Sequence, residues 1–151
     1  MSKLLEMSET FNILLVEDNV AHARLIQEAL KTSGMPVKLI SVRDGVEAMN
    51  YLNQVGEYAK SIRPDLVLLD LNLPRKTGHE VLEEAKTSPH LKQIPMIVLS
   101  TSNSPGDIEK AYSQHANCYL VKPRNIGHLF KVVERIQEFW LQTATLATGV
   151  V

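Results

Sequence analysis

The chain has 151 residues, 44% hydrophobic and 22% charged, enough for one sizeable core and unlike a disordered or collagen-like sequence. Sixteen basic and 17 acidic residues leave a net charge of -1, which gives no support to a nucleic-acid coat or a basic membrane anchor. The single cysteine, Cys118, excludes an intrachain disulfide and a multi-cysteine zinc site. No apolar run reaches the ~20 residues of a membrane span and Met1 to Thr10 lacks signal-peptide character, so a cytoplasmic location is expected.

Asn12 to Val16 is the first apolar run, a predicted strand ending in Glu17-Asp18-Asn19. A helical pattern follows, with Ala23, Ile26, Ala29 and Leu30 on one face, closed by Gly34 and Pro36. Val37 to Val42 reads as a second strand, and Asp44 as the cap of a helix that stops near Gly56. After a polar connection, Leu66 to Leu69 forms an unbroken apolar run. Its lack of polar alternation predicts a strand covered on both faces. A loop with Pro74 and Gly78 leads to a helix around Glu80 to Lys86. Pro95 to Leu99 is the fourth strand, Asp107 to His115 a short helix, Cys118 to Val121 the fifth strand, and Ile126 to Gln142 the last helix. Alternation of this kind predicts one three-layer α/β sandwich over residues 11–142, with residues 1–10 and 143–151 as tails and no output domain.

In an open parallel sheet, ligands bind beyond the carboxyl ends of the strands. The first strand ends in Glu17 and Asp18, the third in Asp70, the fourth in Ser100 and Thr101, and the fifth in Lys122. Taken singly, these residues read as turn, cap and surface groups. Together they bring carboxylates, a hydroxyl and an ammonium to one edge. Clustered carboxylates repel, and a hard cation such as Mg²⁺ relieves that repulsion with water filling its other positions. The metal, Lys122 and a strand-end hydroxyl would then suit a phosphoryl group, with Asp70 as a candidate nucleophile.

These residues carry a family resemblance. Leu14-Leu15-Val16-Glu17-Asp18-Asn19, Leu68-Leu69-Asp70-Leu71-Asn72-Leu73-Pro74 with Gly78 four residues on, Ile97 to Ser102, and Lys122-Pro123 resemble the receiver domains of two-component response regulators. Ser100 lies 30 residues after Asp70 and Lys122 lies 52 after it, as in that family. The resemblance implies a flavodoxin-like fold, with a five-stranded parallel sheet in the order 2-1-3-4-5. It implies Asp70 as phosphoacceptor, Asp18 as a direct Mg²⁺ ligand, Glu17 acting largely through water, and the Asn72 carbonyl as a further ligand. It implies Ser100 as switch hydroxyl, Lys122 as phosphate-binding lysine and Tyr119 as aromatic switch residue. Such a protein is a signalling receiver that catalyses only its own phosphorylation and dephosphorylation. Glu-Asp in place of the commoner Asp-Asp pair, and Ser in place of Thr, keep the required groups. Gly56-Glu57-Tyr58, Arg63-Pro64-Asp65, His115 to Tyr119 and Phe139-Trp140 further resemble the small regulators paired with cyanobacterial-type phytochromes. That implies a sensor histidine kinase, a phytochrome, as phosphodonor.

Other signals are weaker. The five histidines are scattered and form no ligand pair at helix spacing, and Cys118 reads as an inert core thiol. No nucleotide-binding glycine loop is present, so a phosphorylated partner must supply the phosphoryl group. In the last helix Ile126, Leu129, Val133, Ile136 and Trp140 make one core-facing stripe, leaving Phe130, Val132, Phe139 and Leu141 over. The excess predicts a homodimer, with Phe130, Phe139 and Trp140 at its interface. An aspartate-nucleophile phosphatase of the haloacid-dehalogenase type is an alternative, but it needs a carboxylate where Asn72 stands. A degenerate receiver acting only as a binding module would be expected to have lost groups that are present here. DNA binding is not expected, since no basic residue follows Gln142.

Overall fold

The computed structural model describes residues 10–32 and 34–147; most of the predicted N-terminal tail and the end of the C-terminal one lie outside them. Five parallel strands form one sheet in the order β2-β1-β3-β4-β5: β1 (Phe11–Val16), β2 (Val37–Val42), β3 (Leu66–Leu69), β4 (Met96–Ser100) and β5 (Cys118–Val121). The helices are α1 (Val20–Lys31), α2 (Gly45–Leu52), α3 (Gly78–Lys86), α4 (Pro105–Ser113) and α5 (Ile126–Ile136), with a 3-10 turn at Gly56–Tyr58. The flavodoxin-like sandwich and its strand order are as the sequence implies.

Alternation along the central strands builds two cores. Leu14, Val16, Val67 and Leu69 face α2, α3 and α4. Ile13, Leu15, Leu66 and Leu68 face α1 and α5. All four residues of β3 are buried, as its unbroken apolar run predicts. Capping side chains set the helix starts. Asn19, Asp44, Ser104 and Asn125 each accept a backbone N–H of the first turn, and Thr77 with Glu80 forms a complete capping box. Pro105 at the first position of α4 explains why that helix begins before Asp107.

The end of the last helix departs from the α-helical pattern. Gln137–Thr143 continues α5 as a π-helix. Its wider turn advances the inward phase by one residue, so Leu141 rather than Trp140 follows Ile136 into the core. Leu141 is therefore a core residue, and Gln137 is buried with its amide donating to the Leu30 carbonyl at 2.9 Å. Ile126 also leaves the expected stripe, being 69% exposed in the first turn of α5.

Candidate functional site

One further backbone bond beyond each strand fixes the functional edge. Asp70 N donates to Val16 O at 3.0 Å, Glu17 N to Val42 O at 3.0 Å, and Lys122 N to Ser100 O at 2.7 Å. The strand pairing thus carries Glu17, Asp70 and Lys122 to a common depth at the carboxyl ends of β1, β3 and β5. Gly78 lets the β3–α3 loop close over this edge. A Cβ there would lie 2.3 Å from the Asp70 carbonyl oxygen, too close for any side chain.

Lys122 is the hub. Its ammonium donates to Glu17 Oε1 at 2.5 Å, to His22 Nδ1 at 3.1 Å and to Asp70 Oδ2 at 3.3 Å, which engages all its protons. The residue is 4% exposed, Glu17 2% and Asp70 8%. Burial pushes the Glu17 carboxyl up to about 7, against the pull of the Lys122 ammonium and with a further push from Asp70. Burial, and then the Lys122 charge, lowers the His22 imidazole, and its Nδ1 accepts from the ammonium in the tautomer that leaves that nitrogen unprotonated. Glu17 Oε2 also accepts the Asn19 N–H at 3.1 Å, and Asp70 Oδ1 the Asn72 N–H at 3.4 Å.

The structure brings Glu17, Asp70 and Lys122 into contact and leaves Asp18 and Asn72 exposed at the rim. No three His, Cys, Asp or Glu side chains among the described residues are arranged to hold a metal by themselves. The donor set nonetheless fits a divalent ion. Buried carboxylates at this edge already share a cation, and Asp18, Asp70 and the Asn72 carbonyl are hard oxygen donors. Mg²⁺-type ions take one or two carboxylates and fill the rest with water.

Ser100 is fully buried, and its hydroxyl accepts the Ser102 N–H at 3.2 Å. Tyr119 is half-buried against the α2–α4 core, and its hydroxyl donates to the Ser102 carbonyl at 2.8 Å. The other face of β5 is different. Cys118 and Leu120 line an open apolar groove of ≈ 580 Å³ with Val132, Ile136, Phe139 and Trp140. Cys118 is therefore a half-buried groove residue rather than a core thiol, with burial raising its thiol. Phe139 is 53% exposed, whereas Phe130 and Trp140 are partly packed on the α1–α5 core.

Sequence reasoning missed His22. It stands four residues after Asp18 in the first turn of α1, directly beyond β1, and that nearness to the strand end was the one signal available in the sequence.

Residues 13–134 match the response regulator receiver domain, and the chain belongs to that family, in which phosphorylation of an aspartate by a kinase is typical. Response regulator Rcp1 of Synechocystis sp. is 56% identical over 134 residues, 89% of this chain and 91% of Rcp1. The crystal structure of the phosphorylated cyanobacterial phytochrome response regulator RcpA superposes with a TM-score of 0.89 at 58% identity, covering 91% of this chain and 98% of RcpA. The Mn²⁺-bound form of Rcp1 gives 0.88 at 55% identity, covering 91% of this chain and 99% of that one. Among the described residues no helix is long and apolar enough to cross a membrane.

Proposed function

We propose that this protein accepts a phosphoryl group on Asp70 from a sensor histidine kinase, a phytochrome, and responds by changing conformation and self-association. The observation that carries this reading is the buried Lys122 ammonium between Glu17 and Asp70 at the carboxyl edge. An Asp70 oxygen attacks phosphorus as the phosphohistidine P–N bond breaks, and the freed imidazole nitrogen keeps the electron pair and takes a proton from water. Lys122 gives one of its hydrogen bonds to a phosphoryl oxygen, and Ser100 turns its hydroxyl to another. Asp18, Asp70 and the Asn72 carbonyl would hold a divalent ion, Mg²⁺ in the cell, with Glu17 acting through water. That ion supplies charge neutralisation on the phosphoryl oxygens. Water later hydrolyses the acyl phosphate, so the chain also catalyses its own reset.

RcpA is a cyanobacterial phytochrome response regulator and Rcp1 has been solved with Mn²⁺ bound, and the high identity to both supports the phytochrome assignment and the metal site. Phe139 lines the groove together with Cys118, Leu120 and Trp140 and leaves half of its ring exposed. A second copy related by a two-fold axis would cover this exposed apolar surface, which supports a homodimer through the surface made by α4, β5 and α5. No DNA-binding role is proposed.

The test is labelling with acetyl phosphate and Mg²⁺. Wild type takes up one phosphoryl group per chain, and Asp70→Asn takes up none while staying folded. Uptake that survives EDTA, or that persists in Asp70→Asn, overturns the reading.

A further inference from the structure

Helix α4 is held in an unusual way. It buries one residue, Ala111, so apolar packing alone fixes it weakly. A single imidazole reaches both its ends instead. His79, in the first turn of α3, donates from Nε2 to Asp107 Oδ1 at 3.2 Å, and its Nδ1 lies 2.9 Å from Gln114 Oε1. Asp107 is in the first turn of α4 and Gln114 is its C-cap. The His79 side chain is 13% exposed and that of Asp107 41%, so the contact has one sheltered partner and one that meets solvent.

The hold extends into the switch. Asp107 uses its other oxygen, Oδ2, to accept the Ser102 hydroxyl at 2.6 Å. The Ser102 N–H in turn binds Ser100 Oγ, and the Ser102 carbonyl receives the Tyr119 hydroxyl. Ser102 and His79 together hold the Asp107 carboxyl below its ordinary value, in agreement with both bonds being made to the charged form. A continuous chain of hydrogen bonds therefore runs from His79 through Asp107 and Ser102 to Ser100 and Tyr119. Ser100 can leave Ser102 for a phosphoryl oxygen without breaking the Asp107–Ser102 bond.

We propose that His79 is a positioning residue of the switch: acting through Asp107 and Ser102, it fixes the carbonyl that receives the Tyr119 hydroxyl and keeps Tyr119 inward before any phosphoryl group arrives. The inference rests on reading Ser100 and Tyr119 as switch residues. Its consequence is that part of the conformational change is made in advance. Loss of His79 lowers the population of the Tyr119-inward form and with it the rate of phosphorylation.

The experiment compares wild type, His79→Gln, His79→Asn and Asp107→Ala, by amide NMR shifts and by initial phosphorylation rate with phosphoramidate and Mg²⁺. The glutamine amide nitrogen reaches where Nε2 stands, and the asparagine nitrogen does not. His79→Gln restores most of the wild-type rate. His79→Asn and Asp107→Ala move the Ser102 and Tyr119 signals and slow phosphorylation about tenfold, the factor expected for one lost charge-assisted hydrogen bond. Combining His79→Asn with Ser102→Ala adds no further loss, because both cut one chain. The inference is overturned if folded His79→Asn keeps the wild-type Ser102 and Tyr119 signals and rate, or if His79→Gln and His79→Asn behave alike. Should His79→Asn fail to fold, the same comparison of Asp107→Ala with wild type decides. Tyr119→Leu separates the two levels. If Tyr119→Leu phosphorylates at the wild-type rate with wild-type shifts around Ser100, the switch reading itself fails. If it is slow and His79→Asn is not, only the role of His79 fails.

Discussion

Two buried lysines sit at opposite ends of the same sheet and are held in opposite ways. Lys86, at the amino ends of β4 and β5, donates to the Lys92 and Ile94 carbonyls and to Asn117 Oδ1 at 3.0, 2.9 and 2.8 Å. Its acceptors are neutral, and the Lys92 and Ile94 carbonyls are fixed by the backbone. Lys122, at the carboxyl ends, is bound by two carboxylates and an imidazole, of which the carboxylates are also able to take a metal cation. Burial is similar, at 9% and 4% exposed, so burial does not separate a structural ammonium from a reactive one. The partners do: carbonyls tie a lysine down, whereas carboxylates leave it free to meet the phosphoryl group that the proposed function brings to this edge.

The largest expected effect breaks the Lys122 side. Lys122→Met leaves Glu17 and Asp70 buried without their cation, costing about 3–5 kcal/mol in EDTA. Mg²⁺ restores much of this loss, because it supplies the missing positive charge. Urea unfolding with and without metal measures both. A loss of equal size with and without Mg²⁺ contradicts the metal assignment. The same variant still takes up some phosphoryl group but loses the coupled shifts at Ser100 and Tyr119.

Lys86→Met has a smaller effect of another kind. It strands three acceptors and costs about 1–3 kcal/mol. Mg²⁺ restores none of it, and phosphorylation of the folded fraction is unchanged. A pH effect sharpens the contrast. Burial lowers the Lys86 ammonium from 10.5 to about 8, so between those values the unfolded chain holds a proton that the folded chain has released. Stability from this group therefore rises with pH across that window, and the penalty is fully present below about 8. Lys86→Met flattens that rise; an unchanged slope contradicts the assignment.

The smallest effects on stability are expected at the groove. Phe139→Ala removes an exposed ring and lowers the sedimenting mass with little change in melting temperature. Trp140→Ala loses stability, because Trp140 packs on the α1–α5 core and meets Phe139 edge-on at 5.3 Å between centroids. Sedimentation velocity that finds wild type monomeric at roughly tens of micromolar, with and without phosphodonor, removes the homodimer.

The contrast between the two lysines also marks what the sequence could express. Strand β3 was legible because a strand buried on both faces is an unbroken apolar run, and β1 and β5 as short, largely apolar segments; Glu17, Asp70 and Lys122 stand where those runs stop. The partners of these residues were less legible. His22 and His79 act through contacts with residues 100 and 28 positions away, and no local pattern encodes such separations. Lys86 reads in sequence as an ordinary helix-end lysine, and only the fold surrounds it with carbonyls. At the end of α5 the 3.6-residue period misplaced Trp140 and Leu141, since one π-helical segment shifts the phase and leaves the same apolar composition. Phe139 stood out in the same stretch because it fitted neither face.

The central claim is that Asp70, poised beside the Lys122 ammonium, is the residue that carries the phosphoryl group. Borohydride reduces an acyl phosphate to an alcohol and leaves a free carboxylate alone, so it marks the acceptor chemically. Wild type treated with acetyl phosphate and Mg²⁺, then reduced and sequenced by mass spectrometry, yields homoserine at position 70 and at no other aspartate. Homoserine at position 18, or an unmodified position 70 in chains that had taken up phosphate, contradicts the account.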